Sequence, residues 1–154
     1  MEIEIRGAEP EEAAALVALA HRTILRCYRP FLGDAVVDGF VEGGFIERYL
    51  EENVGNCVVL VDESEIVGLG IALGKTIDLL LIDPDRQRRG LGSRLLGHVE
   101  AHLFHDWAEL LLESFEANRP ANDFFRRNGW TEAGRFVDED SGLPKLRFRK
   151  VQSG

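Results

Sequence analysis

Cysteine is scarce in this 154-residue chain, with Cys27 and Cys57 the only two. Two cysteines this far apart make neither a disulfide framework nor metal-ligand spacing, so they read as core thiols in a reducing, cytoplasmic setting. No apolar run approaches the roughly 20 residues that a membrane helix needs, so no membrane partner is expected. Basic residues are also short, 18 Lys+Arg against 27 Asp+Glu, for a formal charge of −9. A nucleic-acid partner would meet net repulsion at its phosphates and is not expected. The same balance is compatible with a cationic substrate. The opening MEIEIRGAEPEE is acidic and alternating, unlike a signal peptide. With no linker, repeat or low-complexity tract, residues 1–154 read as one domain long enough to bury a core.

Patterning supplies the elements. Glu2–Arg6 alternates as a short strand. Pro10 opens a helix whose apolar positions Ala13, Leu16, Val17, Ala20, Ile24 and Cys27 step by three and four, and Pro30 and Gly33 end it. Asp34 caps a second helix, interrupted at Gly43–Gly44 and continued through Ile46, Tyr49 and Leu50. Cys57–Val61 and Ile66–Leu73 read as antiparallel strands. Thr76–Ile82 is nearly all apolar, as a strand buried on both faces would be. Leu91 to about Phe104 is an amphipathic helix, Glu109–Phe115 a strand and Pro120–Asn128 a short helix ended by Gly129. Trp130–Val137 and Lys145–Val151 form a closing hairpin. The fold class is α/β (α+β), a mixed, mostly antiparallel sheet with helices on both faces, in the order βααβββαβαββ.

Against the acidic balance stands DRQRRGLGSRLL, Asp85–Leu96. Four arginines (Arg86, Arg88, Arg89 and Arg94) fall in nine positions around Gly90 and Gly92. The stretch lies between a strand and a helix N-terminus, where backbone N–H groups lack partners and the helix dipole is positive. Glycines admit an anion to those amides, and arginines add charge. A phosphate ligand fits. There is no P-loop run, and GLGSRL and GLGIAL both miss the dinucleotide fingerprint. The spacing present is Gln87-x-x-Gly90-x-Gly92 after LLLIDP.

On these residues the chain resembles the GNAT superfamily of N-acetyltransferases, whose acetyl-CoA loop has the form [QR]-x-x-G-x-[GA]. A second block, ANRPANDFFRRNGW, is similar to the family's N-x-x-A-x-x-F-Y followed by a G-F pair, through Asn118, Ala121, Phe124, Gly129 and Trp130. The resemblance implies a GNAT-like fold and acetyl-CoA as cosubstrate, with no metal. It implies that the amides of Arg88, Arg89, Gly90, Leu91, Gly92 and Ser93 cradle the CoA pyrophosphate, flanked by the Gln87 and Arg89 side chains. It implies that the Leu80, Leu81 and Ile82 backbone pairs with the pantetheine arm, with amides freed at Leu81–Ile82. Asn118 is expected to hold the cofactor, to cap the following helix, or both.

The implied reaction is direct attack of a primary amine, of a small molecule or a protein, on the thioester in a ternary complex. An alkyl ammonium must first lose a proton, since amines titrate near pH 10. Asp78, the lone acid in TIDLLLI, is the first candidate base, where burial would raise its pKa, or else a solvated acid at the open end of the strand; Glu113 is the second, with the same alternative. The family's tyrosine acid is here Phe125, at the cofactor, and a phenyl ring donates no proton. Ser114, Tyr28, Tyr49 or a water are the substitutes. A non-catalytic or weakly catalytic acyl-CoA-binding module is the alternative. A homodimer is compatible with the sequence. Glu42, Glu47, Asp138, Glu139 and Asp140 are candidates to attract a cationic amine. His98, His102 and His105 share a helix stripe without a completing ligand, and Trp107 and Trp130 read as packing residues.

Overall fold

Alternation at Ile3 and Ile5 produces β1 (Ile3–Gly7). The structure, a computed structural model, describes residues 2–87 and 89–153. A 3-10 turn at Pro10–Glu12 leads into α1 (Ala13–Cys27). The buried stripe of α1 is Leu16, Leu19, Ala20 and Thr23, so the apolar face lies slightly around from the expected one. Thr23 is tolerated there because its hydroxyl donates to the Leu19 carbonyl at 2.8 Å. Pro30 does not terminate a helix. It sits in the first turn of α2 (Arg29–Leu32), where a missing N–H costs nothing. Gly33, at φ +84°, precedes α3 (Asp34–Glu42). Asp34 is therefore the first helical residue rather than the cap, and its carboxylate accepts from Arg29 at 2.7 Å. Gly44, left-handed at φ +74°, separates α3 from α4 (Phe45–Asn53). Four helical segments thus stand where two were expected.

The strands are β2 (Cys57–Asp62), β3 (Glu65–Leu73), β4 (Thr76–Ile82), β5 (Glu109–Phe115), β6 (Thr131–Val137) and β7 (Pro144–Val151). Between them lie α5 (Leu91–Leu103) and α6 (Arg119–Arg127). They form one seven-stranded sheet in the order β1-β2-β3-β4-β5-β7-β6. Among the described residues only β4 and β5 pair in parallel. This is the expected mixed, mostly antiparallel sheet with helices on both faces.

Each face has its own core. Leu95, Leu96, Val99 and Leu103 of α5 pack on Leu110, Leu112, Leu146 and Phe148. Leu16, Leu19, Ala20, Ile46 and Leu50 of α1 and α4 pack on Val59, Leu69, Ile71 and Leu81. Trp130 is buried, its Nε1–H donating to Glu100 at 2.8 Å, whereas Trp107 is exposed. The glycines of GLGIAL serve packing: a Cβ on Gly68 would lie 2.7 Å from Ile82 Cδ1, and one on Gly70 would lie 3.3 Å from both Leu80 and Val99.

Candidate active site

The sheet opens where its two halves meet. β4 and β5 pair only at Thr76 with Leu111 and Ile77 with Leu112. Beyond that, β4 stays on β3 through Ile82 and β5 stays on β7 through Phe115. The result is a wedge with its apex at Ile77 and Leu112. Hydrogen-bonding direction alternates along a strand. Asp83 donates to Val67 of β3 at 2.7 Å, so the Leu81 N–H also faces β3, while those of Leu80 and Ile82 face the wedge. The freed amides are thus at Leu80 and Ile82, and the Leu81 side chain is core. By the same alternation Leu111 N–H faces the Lys75 carbonyl of the β3–β4 turn at 3.0 Å, which aims those of Glu113 and Phe115 into the opening.

The arginine–glycine loop lies at the C-terminal end of β4. Gly90 adopts φ +75° as the residue capping α5, and a Cβ there would meet nothing within 4 Å. The first helical bond runs from Arg94 N–H to Gly90 at 3.2 Å. The N–H groups of Leu91, Gly92 and Ser93 therefore precede the helical ladder, as an anion site requires. The Leu91 side chain is buried in the core, Ser93 is exposed, and Gly92 lets the Phe124 ring approach to 3.2 Å of its would-be Cβ. Gln87 turns back on the strand, donating to the Ile82 carbonyl at 3.1 Å. Acids from elsewhere already hold some of the arginines. Arg86 pairs with Glu65 and lies 3.5 Å from Asp83, and Arg89 is 3.4 Å from buried Asp62. Burial alone would raise the Asp83 pKa, but the Asp85 N–H and Arg22 outweigh it and hold the carboxyl below its ordinary range. Arg88 lies outside the described residues.

Asp78 is exposed, the solvated one of its two alternatives, and β4 is not sealed on both faces as its apolar run implied. The cause is a β-bulge: Ile71 opposes Leu79 and Ala72 opposes Ile77, so Asp78 has no partner on β3. The bulge turns Asp78 toward α4, where the Tyr49 hydroxyl donates to Oδ2. Glu113 occupies the corresponding first position beyond the pairing on β5, also exposed, 3.8 Å from Arg147. Ser114 is buried on the opposite face, aligned with Leu146. Burial, the Asp78 bond and the nearby carboxylate push the Tyr49 phenol above its ordinary range, and burial pushes that of Tyr28 up to about 12. Phe31 of α2 reaches across the opening to Phe115 of β5, ring centroids 5.6 Å apart, and Lys145 caps that ring at 4.8 Å.

Asn118 stands at the N-cap of α6, but its side chain makes no capping bond. Asn122 does the local holding instead: fully buried, it donates to the Phe115 and Glu116 carbonyls at 3.2 and 3.1 Å, tying α6 to the end of β5. Phe125 packs on Phe148, Trp130 and Phe124 at centroid distances of 5.9, 6.3 and 5.5 Å. Sequence reasoning missed the Asn122 tie, the Phe31 bridge and the pairing of Tyr49 with Asp78. The first carried a faint signal as an Asn within a helix; the others join residues from separate parts of the chain. His98, His102 and His105 are all exposed, and among the described residues no group of three or more His, Cys, Asp or Glu could hold a metal. No helix among them is long and apolar enough to cross a membrane.

This geometry has counterparts. Peptidyl-lysine N-acetyltransferase YjaB of Salmonella typhimurium is 29% identical over 144 residues, 94% of each chain. The solution structure of apo-form YjaB from Escherichia coli shares 27% identity at a TM-score of 0.79, covering 99% of this chain and 100% of that one. The crystal structure of PaiA N-acetyltransferase from Thermoplasma acidophilum in complex with coenzyme A has the same fold, with a TM-score of 0.84 over 99% of this chain and 100% of that one, at 17% identity. Residues 53–132 match the family described as "Acetyltransferase (GNAT) domain", a span that holds β4, the arginine–glycine loop and α6. The chain belongs to the GNAT acetyltransferase family.

Proposed function

We propose that this chain, acting as one domain, transfers an acetyl group from acetyl-CoA to a primary amine by direct attack in a ternary complex, with a lysine side chain of a protein or peptide as the acceptor. The observation that carries the reading is the wedge between β4 and β5, with unladdered amides at one end and Asp78 and Glu113 at the other. The N–H groups of Leu91, Gly92 and Ser93, with Gly90, Arg89, Gln87 and the Arg88 loop position, receive the CoA pyrophosphate. The Leu80 and Ile82 amides take the pantetheine arm as an added strand, beside Leu81, and Asn118 and Phe125 border it from α6. The named activity of the YjaB relatives supports the choice of peptidyl lysine. A −9 chain in turn attracts a cationic acceptor.

Acetyl-CoA supplies the acyl carbon, whose bond to nitrogen forms as its bond to sulfur breaks, the electron pair leaving on sulfur. Asp78 takes the proton of the ammonium and, being exposed, passes it to solvent; Glu113 helps to hold the cation. The second nitrogen proton is released to solvent as the amide forms, and the thiolate takes a proton back from solvent; Ser114, buried on the opposite face, is too weak an acid to supply it. Free thiols at Cys27 and Cys57 suit a cytoplasmic setting. β1 and β6 are the sheet edges available to a homodimer.

Thermal shift with acetyl-CoA, CoA and ATP tests the cofactor assignment: stabilisation by the CoA species alone is expected, and none by either would overturn it. Arg89→Glu is expected to weaken CoA binding at least tenfold while the domain stays folded. Phe125, which supplies no hydroxyl, favours a second reading, an acyl-CoA-binding module without turnover. Thiol release across a panel of amines and lysine peptides separates the two.

A further inference from the structure

We propose that Tyr49 is a positioning residue: it holds the Asp78 carboxylate at the apex of the wedge in the orientation that accepts the acceptor's proton, and it is not the acid of the reaction. The proposal rests on the reading of Asp78 as base.

A carboxylate on an exposed bulge, with no partner on β3, rotates freely unless something fixes it. Tyr49 is well built for that task. Its helix is anchored by Ile46 and Leu50, both buried. Its ring stacks on Phe45 at 6.3 Å, and Phe45 in turn meets Phe40 edge-on at 5.9 Å. Its backbone carbonyl accepts from Asn53 at 2.9 Å. The hydroxyl therefore arrives at Asp78 Oδ2 from a fixed ring and leaves Oδ1 for the ammonium. The phenol stays protonated through neutral pH, since burial and Asp78 both disfavour its anion. A thiolate that protonates near pH 8.5 draws no proton from so weak an acid. The other titratable groups that bear on the pair are Cys57, in the core cluster on which Tyr49 packs, and Glu113 with Arg147 across the wedge. β3 contributes Ile71 and Ala72 opposite the bulge, neither of which ionises.

The test is the pH dependence of acetyl-CoA turnover with a lysine peptide for wild type, Tyr49→Phe, Asp78→Asn and the double variant, with CoA affinity measured as the control for folding. For Tyr49→Phe we expect kcat to fall about tenfold, with KM for acetyl-CoA unchanged. The acid limb of kcat/KM is expected to move to higher pH, because a carboxylate that loses a donor binds its proton more readily. The alkaline limb stays in place. Adding Tyr49→Phe to Asp78→Asn is expected to cost nothing further. An unmoved acid limb, or an additive double variant, overturns the positioning role. Loss of the alkaline limb in Tyr49→Phe makes Tyr49 the acid and also overturns it. Full activity in Asp78→Asn rejects the base itself, and no wild-type turnover with any amine rejects acetyl transfer. Either failure is distinct from a failure at Tyr49, and either also removes the role proposed for it.

Discussion

Asp78 on β4 and Glu113 on β5 occupy the first register position past the last pair between their strands, Ile77 with Leu112. Both are exposed, yet their surroundings differ. Tyr49 donates to Asp78, while Glu113 stands 3.8 Å from Arg147. Tyr49 meets Oδ2 of Asp78 and leaves Oδ1 for the ammonium, whereas Glu113 is already opposed by a cation. Asp78→Asn is therefore expected to lower kcat by about a hundredfold, the range of a lost general base, with CoA affinity intact. Glu113→Gln is expected to raise KM for the amine less than tenfold and to leave kcat nearly unchanged. Thiol release at saturating acetyl-CoA reads both. The reverse ranking would exchange the two roles.

Gly90 has a different kind of necessity. A Cβ there meets no atom within 4 Å, but φ is +75°. The cost of Gly90→Ala is therefore all backbone, about 1–2 kcal/mol. Because Gly90 aims the first amides of α5, the same change is expected to weaken CoA binding more than it lowers stability in the absence of ligand. Gly90→Asn, a residue that visits this conformation more readily, is expected to recover part of both losses. Paired denaturant and CoA titrations check the comparison. If Gly90→Ala matches wild type in both, the left-handed turn is not what aims the amides.

What was legible in the sequence was local. β4 and β5 carry the expected boundaries because a run of β-formers between turn residues needs no tertiary information. The loop before α5 was legible because glycine, charge and a helix start coincide in one short stretch. The rest depended on distant partners. Asp78 lies on a bulge set by the register with Ile71 and Ala72, which the TIDLLLI segment does not encode. Nor does the loop segment show that two of its arginines also pair with acids, Arg86 with Glu65 and Asp83 and Arg89 with Asp62. Pro30 read as a stop because proline breaks helix interiors, and it fits here because it starts a new first turn.

Trp130, Glu100 and Lys150 close the other face of the sheet. Glu100 is buried, with one oxygen accepting from Trp130 at 2.8 Å and the other from Lys150 at 2.7 Å. Lys150 also donates to the Asn128 carbonyl at 2.7 Å, which fixes the end of α6. Trp130→Phe leaves a buried carboxylate oxygen without its donor and is expected to cost about 1–3 kcal/mol. At this chain length each kcal/mol lowers Tm by about 2–4 °C. Glu100→Leu is expected to cost more, since it strands the Lys150 ammonium. Combining it with Lys150→Met is expected to recover stability, because an apolar replacement of a whole buried pair is often neutral. Calorimetry on the single and double variants decides: strict additivity would show that Glu100 and Lys150 do not act as a pair.

Acid sensitivity has an identifiable source at the other edge of the sheet. Arg6 of β1 grips Glu12 with two bonds of 2.9 and 2.8 Å, and Glu12 also accepts the Glu9 N–H at 2.8 Å. The Arg6 bonds first, then the Glu9 N–H, lower the Glu12 pKa to about 2. A carboxyl lowered on folding stabilises the fold above its unfolded pKa, about 4.3, and that stability is lost as pH falls toward the folded value. Glu12→Gln is therefore expected to melt below wild type at pH 7, with the gap shrinking between about pH 5 and pH 2. Added salt is expected to narrow the gap at pH 7, because Arg6 is partly open to solvent. Melting curves of the two proteins across that range supply the measurement. A gap that holds constant down to pH 2 would place the contribution of Glu12 in its shape and its bond to Glu9 rather than in its charge.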